Sequence, residues 1–144
     1  MAQNIYDDPE FQAGYRQLTR SEQGLAGAPE WPTVAAMIPD IAGRDVVDLG
    51  CGYGAFARWA AESGARSVDA LDRSVQMLAR AGELTGPSDV IAYGRADLDR
   101  LELPAAAYDL AYSALVLHYL VDLPRDGCGR SLTSNLSPTG TALA

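Results

Sequence analysis

The stretch Asp48-Leu49-Gly50-Cys51-Gly52-Tyr53-Gly54 limits what this chain can fold into more than any other. The apolar pair Val46-Val47 precedes it, and the helix-compatible run Ala55-Phe56-Ala57-Arg58-Trp59-Ala60-Ala61 follows. Strand, glycine turn and helix in that order are how an α/β domain brings its backbone close to a nucleotide-like ligand. Glycines at alternate positions remove the Cβ atoms that would block the approach. They also permit positive φ where the turn needs it.

Gly50, Gly52 and Ala55 alone satisfy the dinucleotide fingerprint G-x-G-x-x-G/A, so the glycines do not choose the ligand. Asp48 does. A pyrophosphate over the helix N-terminus would be repelled by a carboxylate at the strand end. A ligand carrying an ammonium there would be attracted, and S-adenosylmethionine has both an ammonium and a cationic sulfur. The D-x-G-x-G-x-G pattern resembles motif I of the class I S-adenosylmethionine-dependent methyltransferases. Taken alone, it also fits a tight turn in an unrelated α/β domain, with Asp48 as a helix-start carboxylate.

The rest of the composition narrows the class. At 144 residues, 48% hydrophobic and with a mean hydropathy of -0.06, the chain is one soluble globular domain at most. A formal charge of -8 and a pI near 4.4 argue against nucleic acid as a partner, since phosphates demand clustered cations. Cys51 and Cys128 are too few for a disulfide framework and suit a reducing cytoplasm. With one histidine and no CxxC pair, no metal site is expected. No run approaches the ~20 apolar residues that span a bilayer, and no leader pattern opens the chain. The expected location is cytoplasmic, away from membranes.

Along the chain, residues 1–32 are polar and aromatic, with a helix-compatible stretch from Pro9 to Arg20 broken by Gly24, Gly27 and Pro29. Thr33 to Pro39 reads as a short helix. A β-α alternation then sets in, the mark of a parallel sheet with crossover helices. Strands are expected at 45–49, 67–72, 89–94 and 108–113, with helices at 54–63 and 74–85. Ser74 is the expected N-cap of the second helix, Gly64 closes the first, and Gly86-Pro87 stops the second. Leu115 to Leu123 could be helical, but Gly127 and Gly129 cannot continue an amphipathic helix. Thr141 to Ala144 looks like the start of a fifth strand.

Several residues stand where a ligand would be met. Asp72 closes the second strand, 18 residues after Gly54, where an acid can accept from both ribose hydroxyls; it could equally cap the following helix. Arg73 stands beside it. Ala96-Asp97-Leu98 follows the third strand, where a carboxylate or amide meets an adenine edge and Leu98 gives an apolar wall; Asp97 also suits a plain loop. Met77 could pack on the adenine face or belong to the core. His118, just past the fourth strand, could be a general base or a packing residue. A sulfonium methyl is transferred downhill, so a base is optional once the nucleophile is held in line.

The segment Tyr108-Asp109-Leu110-Ala111-Tyr112-Ser113, followed by Leu117-His118-Tyr119, resembles the post-fourth-strand segment of the type 11 small-molecule methyltransferases. With D-L-G-C-G-x-G, the second-strand acid and A-D-L, the likeness covers residues 45–124 in order and spacing. The opening from Tyr6 through Tyr15 to Pro32 looks like the N-terminal lid of one branch of that family. The resemblance implies a helical lid over residues 1–40 on the substrate side, with Tyr15 and His118 toward substrate, and a cofactor-binding domain over 41–144. It implies an α/β, Rossmann-like parallel sheet with helices on both faces, truncated after about four to five strands. Asp48, Gly50, Gly52 and Gly54 would hold the methionine end and Asp72 the ribose, with Cys51 and Arg73 also among the cofactor-binding residues. Met77, Ala96, Asp97 and Leu98 would meet the adenine, and Ser113 the lip near the methyl. The acceptor would be a small-molecule O, N or C nucleophile. Leu136-Ser137-Pro138-Thr139-Gly140 stands for the family's L-x-P-G-G turn, with Thr139 in place of the first glycine. Loss of the strands beyond would leave the fourth strand as an exposed edge and a route to self-association. Two other readings stay open: a cofactor-binding remnant without activity, and a nicotinamide-dependent oxidoreductase, which Asp48 disfavours.

Overall fold

The computed structural model describes residues 5–104, 106–114 and 136–143, the last as backbone alone. Strands β1 (Asp45–Leu49), β2 (Ser67–Asp72), β3 (Ile91–Arg95), β4 (Tyr108–Tyr112) and β5 (Leu136–Leu143) form one parallel sheet in the order β3-β2-β1-β4-β5. The helices are α1 (Pro9–Arg16), α2 (Thr19–Gln23), α3 (Trp31–Met37), α4 (Ala55–Glu62) and α5 (Val75–Thr85), with short 3₁₀ turns at 5–7 and 24–27. This is the Rossmann-like architecture expected from the β-α alternation.

Strand periodicity builds the core. Val46 of β1 pairs with Val68 of β2 and Leu110 of β4, and all three are fully buried on one face. Val47 points the other way and packs with Leu49, Tyr108 and Ala111. Helix α4 lays Phe56, Ala57 and Ala60 on the first face, where Trp31 and Val34 of α3 and Leu78 of α5 also pack. The opposite face is covered, among the described residues, by Leu98, Leu101 and Leu103. The helix expected at 115–123 lies outside the described residues.

Local chemistry sets the element ends. Ser74 Oγ accepts from Met77 N–H at 3.1 Å, capping α5 as expected. Asp8 caps α1 by accepting from Glu10 and Phe11 N–H at 2.9 and 3.0 Å. Strand β3 starts at Ile91 rather than residue 89, because Ser88 Oγ accepts from the N–H groups of Val90 and Ile91 and holds a turn there. Helix α3 begins earlier than expected, at Trp31, since Pro32 in the first turn costs no intrahelical bond. The helix expected over 9–20 divides at Leu18, whose backbone is extended (φ -68, ψ 138).

One expectation is overturned. Strand β4 is not an edge: β5 lies beside it, with Leu110 opposite Thr141, Ala111 opposite Ala142 and Tyr112 opposite Leu143. The segment Leu136 to Gly140 is not a turn ahead of that strand but its first half. Tyr108 pairs with Leu136 and Leu110 with Thr141, so the ladder is irregular around Pro138. A residue with no N–H to donate belongs at such a break. The ground for self-association through an unpaired β4 therefore falls away. Among the described residues, no helix is long and apolar enough to cross a membrane.

Because Leu110 completes the Val46–Val68 row with no exposed surface, Leu110→Ala should cost about 2–5 kcal/mol. Urea unfolding followed by circular dichroism would measure it.

Candidate functional site

The carboxyl ends of β1, β2 and β4 open on a cavity of about 620 Å³, within the size range of small-molecule sites. Its floor is the glycine loop, and its roof comes from the N-terminal segment. The loop is tied to the end of β2. Leu71 C=O accepts from Gly50 and Cys51 N–H at 2.7 and 2.9 Å, and Asp72 Oδ2 accepts from Gly52 N–H at 2.9 Å. The other Asp72 oxygen accepts from Ser74 N–H at 2.9 Å. Asp72 thus lines the cavity and also accepts at the start of α5.

The three glycines differ in what they do. All have positive φ: 77° at Gly50, 54° at Gly52 and 77° at Gly54. A Cβ on Gly52 would meet no atom within 4 Å and would stand in open space, and Gly52 lines the cavity. A Cβ on Gly54 would overlap the Tyr93 hydroxyl and lie 2.9 Å from its Cζ. Gly54 does not line the cavity and serves the packing of α4 against β3.

Asp48 is 2% exposed, and its Oδ2 is buried without a hydrogen-bond partner among the described residues. Burial, with the charge of Asp72 nearby, pushes its pKa up to about 8. Burial also raises Asp72, against the N–H bonds from Ser74 and Gly52 that pull it down. Cys51 lines the cavity, but burial beside two carboxylates drives its thiol far up, so it is a packing group and not a nucleophile.

Of the residues singled out in the sequence, Asp48, Gly50, Cys51, Gly52, Asp72, Arg73, Met77, Leu98 and Tyr15 line this one cavity. Ala96, Asp97 and Ser113 do not. Ala96 N–H donates to Asp72 C=O at 2.9 Å, and Asp97 closes a turn by accepting from Asp99 N–H at 3.1 Å. Ser113 is buried next to Tyr112 and Ala114, which do line the cavity, and its Oγ has no partner among the described residues. His118 lies outside the described residues.

The sequence did not single out the groups that close the roof. Gln12, 5% exposed, accepts from the Tyr53 hydroxyl through Oε1 at 3.0 Å and donates through Nε2 to Tyr6 C=O. Asp7 accepts from Ser74 Oγ at 2.5 Å and from Gln76 N–H at 3.2 Å. Both contacts join residues more than 40 positions apart, so no local pattern carries them. Phe56 and Tyr112 were more legible, one opening the helix after the loop and the other ending a strand at its ligand side. Among the described residues, no cluster of three His, Cys, Asp or Glu could hold a metal.

Strand order, glycine loop and buried acid together define the class I methyltransferase fold, and the comparisons agree. Residues 47–143 match the family described as methyltransferase domain, and the chain belongs to it. It is similar to the S-adenosylmethionine dependent methyltransferase of Mesorhizobium loti: 52% identity and a TM-score of 0.77, over 83% of this chain and 53% of that one. It is 38% identical over 90 residues to malonyl-[acyl-carrier protein] O-methyltransferase of Pectobacterium atrosepticum, covering 62% of this chain and 34% of that protein. A phosphoethanolamine N-methyltransferase of Haemonchus contortus, solved with phosphoethanolamine and S-adenosylhomocysteine, is similar at 26% identity and a TM-score of 0.64, over 77% of this chain and 25% of that one. The chain spans about half the length of the Mesorhizobium structure and less of the other two.

Two outcomes follow from this geometry. Gly54→Ala should cost about 2–4 kcal/mol, from positive-φ strain plus the clash with Tyr93. Gly52→Ala should cost only the strain, about 1–2 kcal/mol; paired thermal melts would measure the difference. The second outcome concerns pH. Asp48 in the folded chain holds its proton up to about 8, whereas the unfolded carboxyl releases it near pH 4. Its contribution to stability is complete below the unfolded value and is lost as pH rises through the folded one. Asp48→Asn should therefore flatten the fall of melting temperature between pH 6 and 9, ending about 1–3 kcal/mol more stable than the parent at the alkaline end.

Proposed function

We propose that this cavity binds S-adenosylmethionine and that the chain's fold serves methyl transfer to a small-molecule O, N or C nucleophile, in the cytoplasm and without nucleic acid or membrane partners. The observation that carries the reading is the buried Asp48 Oδ2, which has no donor among the described residues and lies at the base of a cavity floored by glycine backbone. An ammonium would draw that carboxyl into its charged form, and the charged form would repel a pyrophosphate.

The residues present fit the rest of the cofactor. Asp72 accepts from the protein's own N–H groups through both oxygens and lines the cavity, where it could also accept from a ribose hydroxyl. Met77 and Leu98 offer apolar walls to a flat base, and both line the cavity. The open space over Gly52 leaves room for the ligand's chain. A bound S-adenosylmethionine would supply an electrophilic methyl group to the nucleophile, with the electron pair of the broken carbon–sulfur bond kept by sulfur. The protein's task is to hold the nucleophile in line at ~3–3.5 Å and keep water out. Tyr6, Tyr15 and Trp31 of the roof serve the exclusion. His118 is proposed as the acceptor of the nucleophile's proton, a role the reaction can do without.

Calorimetry tests the cofactor. S-adenosylmethionine or its demethylated product should bind, NAD should not, and binding at pH 7 should release a proton as Asp48 ionises against the ammonium. Buffers of different ionisation enthalpy would count that proton. Asp72→Ala should weaken binding by about 1–3 kcal/mol, and a 2′,3′-dideoxy analogue should lose the same against the parent but little more against the variant. Equal or tighter binding of NAD would overturn the assignment.

A further inference from the structure

The glycine loop is tied in two halves, and the ties come from different parts of the chain. Gly50, Cys51 and Gly52 donate their N–H groups to Leu71 C=O and the Asp72 side chain at the end of β2. The second half is held through Tyr53. Arg58 of α4 donates through Nη1 to Tyr53 C=O at 2.6 Å, and the Tyr53 hydroxyl donates to Gln12 Oε1 at 3.0 Å. The Tyr15 ring meets the Tyr53 ring edge to face, with centroids 5.5 Å apart. Gln12 and Tyr15 both belong to α1, so the N-terminal segment grips this half of the loop by a hydrogen bond and a ring contact.

Tyr53 faces the ligand space. It stands between Gly52 and Gly54, whose φ values are 54° and 77°, and it lines the cavity beside Cys51 and Gly52. Gln12 stands behind that wall: it is 5% exposed and is not among the residues that line the cavity. Its Nε2 donates to Tyr6 C=O, so one end of the amide holds the roof and the other holds the loop. A buried amide of this kind is satisfied only while both partners are in place. Releasing the Tyr53 hydroxyl would free a ring flanked by two glycines, the residues with the most backbone freedom to regain. A ligand seated on the loop would then have to order it again.

We infer that Gln12 is a positioning residue for the cofactor: through the Tyr53 hydroxyl it holds the glycine loop in its binding shape, so cofactor affinity and the docking of the N-terminal segment depend on each other. The inference rests on the cofactor reading above. Coupling of two equilibria is reciprocal, so the factor that the Gln12–Tyr53 clasp adds to affinity is returned by a bound cofactor as added order in α1. The roof is then firmest over a loaded site, where exclusion of water matters. Asp7 accepts from Ser74 Oγ at 2.5 Å and ties the segment to the start of α5 independently. Breaking the Gln12 clasp therefore loosens the segment without detaching it.

Calorimetry with S-adenosylhomocysteine and hydrogen exchange of the α1 amides test the two sides of this coupling on the 144-residue chain. Tyr53→Phe keeps the ring and removes only the hydroxyl, while Gln12→Leu keeps most of the volume and removes both bonds. Each should weaken S-adenosylhomocysteine about fivefold, the scale of ordering one freed side chain. The double variant should stay within about twofold of Gln12→Leu, because both changes remove one shared bond. Losses that multiply to about 25-fold would mean that the two residues act separately, and would overturn the inference. In the parent, saturating ligand should slow exchange over Pro9–Arg16 about fivefold; in Tyr53→Phe the slowing should fall below about twofold. A merely structural clasp would lower the melting temperature of the unloaded variants and leave affinity and ligand protection at parent values, which would also overturn the inference. Should Gln12→Leu fail to fold, Tyr53→Phe decides the matter through the same two readouts. A parent chain that does not bind S-adenosylhomocysteine would overturn the cofactor reading, and this inference with it.

Discussion

The end of β2 holds the glycine loop in place, and the rest of the site depends on that tie. Leu71 C=O takes two successive loop N–H groups, and the Asp72 side chain takes a third from Gly52. A loop with three left-handed glycines has few side chains to hold it and a large entropy to lose. Pinning its backbone to a strand end restores order without filling the space above it. Gly52 is left facing open cavity, while Gly54 is driven against Tyr93 so closely that no Cβ fits. One loop thus contains a glycine that faces the cavity and a glycine that serves the fold.

The same tie brings two carboxylates, Asp48 and Asp72, into one apolar pocket. Both are pushed toward their neutral forms by burial, and Asp48 has an oxygen with no partner among the described residues. A buried acceptor left unsatisfied is costly, and an apolar residue of similar size would serve the core better. Perturbed acids of this kind cluster at sites where a ligand completes them. Asp72 is different in degree: two backbone N–H groups already repay part of its burial, so it can be structural and ligand-facing together.

The N-terminal segment completes the cavity through a few long-range contacts. Asp7 reaches the cap of α5, sharing Ser74 Oγ with the helix it caps, and Gln12 bridges Tyr53 of the glycine loop to Tyr6 C=O. These polar links fix the roof's position, and the ring contacts around Tyr15 and Trp31 fill it. Roof and floor therefore share residues: Ser74 and Tyr53 each belong to both. A change at either should be felt by the loop and by the lid.

The sequence by itself determined the repeating frame and the floor of the site. Strands β1 and β2 fall on the expected residues and Ser74 caps α5, because each depends on neighbours a few positions away, while Asp48, Gly52 and Asp72 converge because the β-α-β alternation sets β1 beside β2. Tertiary structure decided the remainder. The sequence could not say that β5 would cover β4, since that pairing joins segments over 25 residues apart across a stretch without clear periodicity. Nor could it separate Gly52 from Gly54, which share a backbone conformation and differ only in whether Tyr93 stands above them. Gln12 gave no signal, because its burial is imposed by Tyr53 from 41 residues away. Hydrophobic period and turn chemistry are local and survive in the one-dimensional string. What a side chain meets across the fold is set only when the sheet brings distant segments together.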